Sequence, residues 1–114
     1  MRVLNLTRQV SLVENGSAAR SLLARARGLL GHAPLVAGEG LLIAPCQSIH
    51  SFFMAFPFDA AFLDGAGCVL QLIQSMPPGR VSPHLFRARA VLELPAGILA
   101  LTGTQVGDIL VVQE

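Results

Sequence analysis

The stretch CQSIHSFFMAFPFDAAFLD, residues 46–64, holds five of the six phenylalanines of the chain and leads into its clearest hairpin. Residues 58–63 predict a strand, residues 64–67 (Asp-Gly-Ala-Gly) a tight connection, and residues 68–74 the returning strand. Successive residues of a strand face opposite sides of its sheet. One face of the first strand therefore carries Phe58, Ala60 and Phe62, and the other carries Asp59, Ala61 and Leu63. Because both faces are mostly apolar, we expect both to be covered.

Outside this hairpin the pattern predicts five more strands, at residues 3–7, 10–13, 40–44, 89–94 and 109–112. Asn15-Gly16 indicates a turn, and Ser17 is a suitable N-cap for a helix from Ala18 to about Leu30. The predicted buried face of that helix consists of Leu22, Leu23, Ala26, Leu29 and Leu30. Residues 96–101 fit one more helical turn. Strands do not alternate with helices, which argues against a doubly wound parallel sheet. We expect a mainly β (α+β) fold, a small curved antiparallel sheet or barrel of about seven strands with one capping helix.

The length of 114 residues predicts a single domain spanning residues 1–114. Hydrophobic residues make up 53% and charged residues 13%, against averages of about 45–50% and about 25%. The apolar excess leaves three interpretations open: a homodimer or partner surface, an apolar pocket, and a simple core rich in alanine and leucine. The net charge of +1 argues against nucleic acid as a partner. The chain has no signal-peptide pattern and no apolar run long enough to span a bilayer. If the N-terminus is complete, we expect a soluble cytoplasmic protein.

His50 lies near Ser48, Ser51 and Asp59, which are the side-chain types of nucleophilic catalysis, although no Gly-x-Ser-x-Gly motif is present. Together with Cys46 it could instead contact a metal, but two ligands do not make a site. In the third interpretation the ring nitrogens of His50 satisfy backbone groups at a bend. We assign no catalytic residue, no metal ligand and no cofactor. Whether Cys46 and Cys68 form a disulfide stays open.

Consecutive Phe52 and Phe53 cannot both face inward on a regular strand. One of the two rings must face another side of the sheet, a pocket or a partner. Asp59 and Glu93 are acids inside apolar runs, and a buried carboxylate needs a partner. An arginine such as Arg27 or Arg89 could supply it, or backbone N–H groups could. A role for the two acids in ligand binding is the remaining alternative.

Six blocks in order resemble one known family. They are Ala24-Arg25-Ala26-Arg27-Gly28-Leu29-Leu30, Gly40-Leu41-Leu42-Ile43, Cys46-Gln47-Ser48-Ile49-His50, the run from Met54 to Asp64, Val91-Leu92-Glu93-Leu94-Pro95-Ala96-Gly97 and Gly107-Asp108. The chain resembles the prokaryotic family named domain of unknown function 192. The resemblance implies a small β-rich domain, found in cytoplasmic forms and behind export signals, with no established activity. This chain departs from the family pattern at Ser51-Phe52-Phe53 and at Ala55, where relatives tend to carry other residues.

From these observations we predict an uncharacterised small domain that acts as a non-enzymatic binding or protein-interaction module. Its partner would be an unidentified small molecule or protein, with a homodimer as an open alternative. The candidate binding residues are His50, Ser51, Phe52, Phe53, Met54, Asp59, Glu93, Arg27 and Arg89. Two other functions remain open, a small hydrolase or metal-dependent enzyme centred on His50 and a structural homodimeric subunit.

Overall fold

The computed structural model describes residues 1–29 and 31–114. Within these ranges the chain forms eight strands and two short helices. In chain order they are β1 (Arg2–Asn5), β2 (Val10–Val13), β3 (Asn15–Ala19), α1 (Leu22–Arg27), β4 (Glu39–Ile43), β5 (Phe58–Leu63), β6 (Val69–Met76), β7 (Ala90–Pro95), α2 (Ile98–Thr102) and β8 (Leu110–Gln113).

The strands form two sheets. One has three strands in the order β2-β1-β8, and the other has five in the order β3-β4-β7-β5-β6. Neighbouring strands are antiparallel except for β3 and β4, which run parallel. The mainly β fold and the hairpin of β5 and β6 are confirmed. The barrel alternative is not, because the two sheets stay separate and do not close on each other.

The five-stranded sheet separates two apolar cores, as the alternation along β5 predicts. Ala61 and Leu63 belong to a core shared with the three-stranded sheet and α2. Phe58, Ala60 and Phe62 belong to a second core on the opposite face, where the loops and the segment after α1 cover the sheet. This second face carries the candidate functional site.

The predicted helix from Ala18 to Leu30 is wrong in its start and in its buried face. Residues 15–19 form β3, and α1 begins after Ser21, whose hydroxyl accepts a hydrogen bond from the Ala24 N–H at 3.1 Å. Leu22 and Leu23 are 77% and 82% exposed, and no residue of α1 is buried. Leu29 is buried just beyond the helix. The expectation for Leu30 lies outside the described residues.

The pairing of β3 with β4 explains why residues 15–19 form a strand and not the predicted turn and helix start. Gly16 of β3 lies in register with Gly40 of β4. A Cβ on either glycine would come within 2.7 Å of the Val13 side chain, so only glycine allows the strands this close to β2. The Gly16 N–H also donates to the Met1 carbonyl at 2.8 Å. Local turn propensity at Asn15-Gly16 therefore gives way to tertiary packing.

A buried carboxylate joins the start of the three-stranded sheet to the turn before β8. Asp108 accepts hydrogen bonds from Arg8 Nε and Asn5 Nδ2, both at 3.0 Å, and from the Gln105 N–H at 2.9 Å. The hydrogen bond from Arg8 is the main cause that lowers the pKa of Asp108 to about 2. The ionised carboxylate is therefore part of the native packing of this corner.

Candidate functional site

A pocket of about 550 Å³ opens on the second face of the five-stranded sheet. Its sides are formed by α1 and the residues just after it, by the segment after β4, which contains a cis Ala44–Pro45 peptide, and by the chain leading into β7. The apolar part of its lining consists mainly of Leu29, Ile43, Ile49, Met54 and Ala88. Apart from Met54, which is half-buried, these side chains are buried. The volume is in the range of small-molecule sites.

Glu93 lies among these apolar side chains. It stands in the middle of β7, opposite Leu41 on one neighbouring strand and Ala60 on the other. Only 3% of the residue is exposed, and Oε1 is buried without a hydrogen-bond partner in the described part of the chain. Burial raises the pKa of Glu93 to about 7. A proton at this carboxyl is therefore nearly balanced between bound and free at neutral pH.

Arg25 of α1 carries a second buried polar atom without a partner. Its Nη1 donates to the Pro45 carbonyl at 3.1 Å, which holds the half-buried side chain over the pocket. Its Nε is buried and has no acceptor. Arg25 Nε and Glu93 Oε1 are the two such side-chain atoms found among the described residues, and both residues line the same pocket. Unsatisfied buried polar groups are rare in native proteins, and here both belong to residues that line one pocket.

Cys46 lines the same pocket as these two groups. Burial is the largest cause that raises the pKa of its thiol; the charge of Glu93 raises it further, and that of Arg25 lowers it. The thiol donates to the Ser48 carbonyl at 3.1 Å, and the Cys46 N–H donates to the Arg89 carbonyl at 3.1 Å. Cys46 and Cys68 are both free thiols. Cys46 is therefore a half-buried thiol within the pocket, electrostatically coupled to both unpartnered groups.

Four more basic side chains line the pocket, and all are exposed at its mouth. They are Arg27, Arg89, His50 and His84. Glu93 is the one acid among the lining residues. The pocket therefore has an acidic group among its apolar walls and basic groups around its opening.

The predicted candidates divide into those that line this pocket and those that do not. His50, Met54, Glu93, Arg27 and Arg89 line it. The ring of His50 stacks on Phe52, with ring centroids 5.5 Å apart, and its Nδ1 accepts from the Phe52 N–H at 3.2 Å. One ring nitrogen of the exposed histidine thus serves a backbone group of the bend, where the third interpretation expected both nitrogens to serve buried backbone groups.

Ser51 is buried away from the pocket lining. Its hydroxyl donates to the Pro77 carbonyl at 2.6 Å and accepts from the Arg80 N–H at 2.9 Å. These bonds fasten the bend at residues 50–54 to the loop after β6. The hydroxyl is therefore already engaged with backbone groups.

Asp59 is also buried, at the opposite side of the sheet from Glu93. Its two oxygens accept from the N–H groups of Ser75 at 2.8 Å, Gly97 at 3.1 Å and Leu99 at 2.9 Å. Two of these donors belong to the start of α2, which packs on the same face of the sheet as Asp59, so the carboxylate caps that helix. Backbone donors, and no arginine, satisfy this acid in the hydrogen bonds the structure gives it.

Phe52 and Phe53 are both exposed, where the sequence required only one ring to leave the core. Phe52 is 44% exposed and Phe53 91% exposed. Phe53 also has a φ of 63°, a left-handed conformation that is rare for a bulky residue. The bend therefore turns both rings outward, while their neighbour Met54 enters the pocket.

Sequence reasoning did not single out Arg25 as a pocket residue, and it considered Cys46 only as a metal ligand or a disulfide partner. Nothing in its spacing separates Arg25 from Arg20 or Arg27. Its position depends on the Pro45 carbonyl, a partner 20 residues away that no local pattern reveals. Among residues 1–29 and 31–114, no group of three or more His, Cys, Asp and Glu side chains comes together to hold a metal ion. No helix in those ranges is both long and apolar enough to cross a membrane.

Comparison with known proteins gives one family and two similar structures. The model of the family DUF192, described as "Uncharacterized ACR", matches residues 6–112. A crystal structure of a protein of unknown function from Novosphingobium aromaticivorans is similar, with a TM-score of 0.87 and 23% identity over 98% of this chain and 84% of the other. A candidate transcription regulator from Sinorhizobium meliloti has a TM-score of 0.81 and 19% identity over 96% of this chain and 89% of the other. At these identities the two structures show the shared fold alone. No curated protein matches the chain.

Proposed function

The chain belongs to the uncharacterised family DUF192, and we propose that it is a non-enzymatic binding module whose ligand occupies the pocket between α1, the segment after β4 and β7. The observation that carries this proposal is the unpartnered Oε1 of Glu93. A buried carboxyl without a hydrogen bond is costly to the folded state, by about 1–3 kcal/mol or more. A ligand that donates a hydrogen bond to Glu93 would remove this cost, which is why we place the ligand here.

Arg25 supports the same proposal independently. A guanidinium held by one hydrogen bond to Pro45 and left with a buried Nε–H is preorganised to bind an acceptor. Preorganisation lowers the entropy lost on binding. The pocket therefore combines an oriented donor, a buried carboxyl and apolar walls, which is the usual composition of a small-molecule site.

Binding is favoured over hydrolysis centred on His50 by the partners of the neighbouring residues. The Ser51 hydroxyl is engaged with the backbone of Pro77 and Arg80. The Asp59 carboxylate is engaged by three backbone N–H groups and does not line the pocket. The Ser51 hydroxyl is therefore not free to be the nucleophile that His50 would activate, and Asp59 is not placed to orient His50, as a catalytic triad requires.

Disulfide trapping at Cys46 tests the proposal even while the ligand is unidentified. A Cys68→Ser variant leaves Cys46 as the single thiol, and it is equilibrated with a panel of small disulfides under mild reductant. Mass spectrometry measures how much of each fragment is retained. We expect a chemically related subset to be retained well above the rest of the panel. The matched Cys46→Ser variant, which keeps only Cys68, should show no such selection.

Uniform retention at Cys46, equal to that at Cys68, would contradict the proposal. A pocket that binds ligands must discriminate among fragments held inside it. A thiol on an ordinary surface responds only to the intrinsic reactivity of each disulfide.

The exposed apolar side chains favour a second candidate, association of two copies of the chain. Leu23, Phe53 and Phe86 are 82%, 91% and 83% exposed. Leu22 and Met54, the chain neighbours of Leu23 and Phe53, line the pocket, and Phe86 packs edge-on against His84, another lining residue. Sedimentation velocity at micromolar concentration tests this candidate. A dimer that Phe53→Ser weakens supports it, and a monomer over the whole range removes it.

A further inference from the structure

We propose that the ligand of this pocket is a small organic anion, a carboxylate or phosphate joined to a short apolar body, with its anionic group bound by Arg25. This inference rests on the proposed function and narrows it to one chemical class.

The distribution of charge in the chain is the first argument. Three of the eight arginines, Arg25, Arg27 and Arg89, line the pocket, with one of the seven acids. The remaining five arginines are outnumbered by the remaining six acids. Positive charge is therefore concentrated at this opening in a chain whose net charge is only +1. An excess of positive over negative side chains in a cleft with apolar walls attracts anionic ligands.

The unpartnered atom of Arg25 is the second argument. Its Nη1 is held by the Pro45 carbonyl, and its Nε–H is buried with no acceptor. A carboxylate or phosphate oxygen is the acceptor that a guanidinium prefers, and charge-assisted hydrogen bonds of this kind are about twice as strong as neutral ones. A cationic ligand would leave this donor unsatisfied and would meet the other two guanidiniums.

The apolar residues that line the pocket indicate the chemistry of the rest of the ligand. Ile43, Ile49 and Ala88 are buried and Met54 half-buried, and all four line the pocket, so the group behind the anion must be apolar. The pocket volume of about 550 Å³ allows a short chain or a single ring.

Glu93 completes the site as a neutral acid whose O–H donates to the ligand. The titratable and charged groups that line the pocket with it are Arg25, Arg27, Cys46, His50, His84 and Arg89. Burial is the cause that raises its pKa, and an anion bound nearby raises it further. Binding is therefore linked to protonation of Glu93 and weakens as the pH rises above 7, by up to tenfold per pH unit at full linkage.

The experiment compares four probes of equal chain length by calorimetry and by ¹H–¹⁵N NMR. Hexanoate and hexyl phosphate carry the two kinds of anion, hexanamide is neutral and hexylamine is cationic. We expect at least one anion to bind at least tenfold more tightly than hexylamine and hexanamide and to shift the Arg25 Nε–H and Cys46 N–H signals. The preferred anion identifies a carboxylate or a phosphate as the natural head group.

Two arginine variants test the role of Arg25. Arg25→Gln should weaken binding of the preferred anion at least tenfold. Arg20→Gln is the matched control, because Arg20 is exposed and only reaches Glu114 at 3.5 Å, and it should leave binding unchanged. Far-UV circular dichroism confirms that both variants are folded.

The possible outcomes separate two proposals, that the chain is a binding module and that its ligand is an anion. Equal losses in Arg25→Gln and Arg20→Gln, or tighter binding of hexylamine or hexanamide, would overturn the anion inference and leave the binding module standing. Binding by none of the probes would also overturn the anion inference. The binding module itself fails only if Cys46 shows no selection among trapped fragments.

Discussion

The ionisation of Glu93 lowers the free energy of unfolding of this protein, and replacing Glu93 by glutamine should remove that effect. Burial raises the pKa of the carboxyl from its ordinary value of 4.5 to about 7 in the folded protein. The unfolded chain, by contrast, exposes it. The contribution of the protonated Glu93 carboxyl to the free energy of unfolding is therefore fully present below pH 4.5. It is lost as the pH rises through 7 and is absent above that. The difference of about 2.5 pH units corresponds to about 3 kcal/mol.

Urea unfolding between pH 4.5 and pH 8.5 measures this effect. The chain has no tryptophan and no tyrosine, so far-UV circular dichroism is the suitable signal. At pH 8 or above, Glu93→Gln should be more stable than the wild type by up to about 3 kcal/mol, minus the cost of the buried amide. The advantage should shrink continuously as the pH is lowered toward 4.5. Glu114→Gln, at an exposed carboxyl with 81% side-chain exposure, is the control and should follow the wild type.

The pH dependence of the difference carries the test, because the constant cost of the amide cancels from it. If the wild type and Glu93→Gln keep the same difference in stability from pH 4.5 to pH 8.5, Glu93 is not a desolvated carboxyl. The statement that Glu93 is a buried carboxyl without a hydrogen-bond partner in the pocket would then be wrong.

Three further predictions address the rest of the structure. Asp59→Ala should lower the free energy of unfolding by at least about 3 kcal/mol, because three backbone N–H groups lose their acceptor; a loss below about 1 kcal/mol in urea unfolding would refute the capping role. Leu29→Ala should lower the free energy of unfolding by about 2–5 kcal/mol, while Leu22→Ala and Leu23→Ala should change it by no more than about 0.5 kcal/mol. Larger losses at Leu22 and Leu23 than at Leu29 would instead support the predicted helix with a buried leucine face. Because the pKa of Asp108 is lowered to about 2, its carboxylate contributes stability above pH 3.8 that is lost as the pH falls through about 2. Asp108→Asn should therefore lack this loss of stability at acid pH when unfolding is followed by circular dichroism. An acid unfolding transition equal to that of the wild type would contradict the role of Asp108.

The strands could be predicted from sequence because their pattern is local. Val10–Val13 and Phe58–Leu63 occur where alternation and turn residues place them. The helix could not be predicted correctly, because leucines at three- and four-residue spacing indicate a buried face whether or not a sheet lies beneath it. The parallel pairing of Gly16 with Gly40 takes residues 15–19 into the sheet, and no local pattern reports a partner 24 positions away.

The candidate site was predictable in its residue types more than in its arrangement. The apolar runs around Asp59 and Glu93 raised the question of whether these acids are buried, and both are. Sequence could not tell which of the two carboxyls has hydrogen-bond donors, because the donors to Asp59 come from β6 and from the start of α2, which are distant in the chain. The contact of Arg25 with Pro45 is equally invisible in the chain order. Burial follows from composition, but hydrogen-bond partners follow from the fold.

The most direct test of the binding site is the pKa of Glu93, measured by ¹³C NMR of its side-chain carboxyl with and without the preferred anion. Without ligand we predict a pKa of about 7, and with hexanoate or hexyl phosphate a higher value in the wild type that Arg25→Gln does not reproduce. A pKa near 4.5 that the anion leaves unchanged would contradict both the buried, unpartnered carboxyl and the ligand proposed to bind beside it.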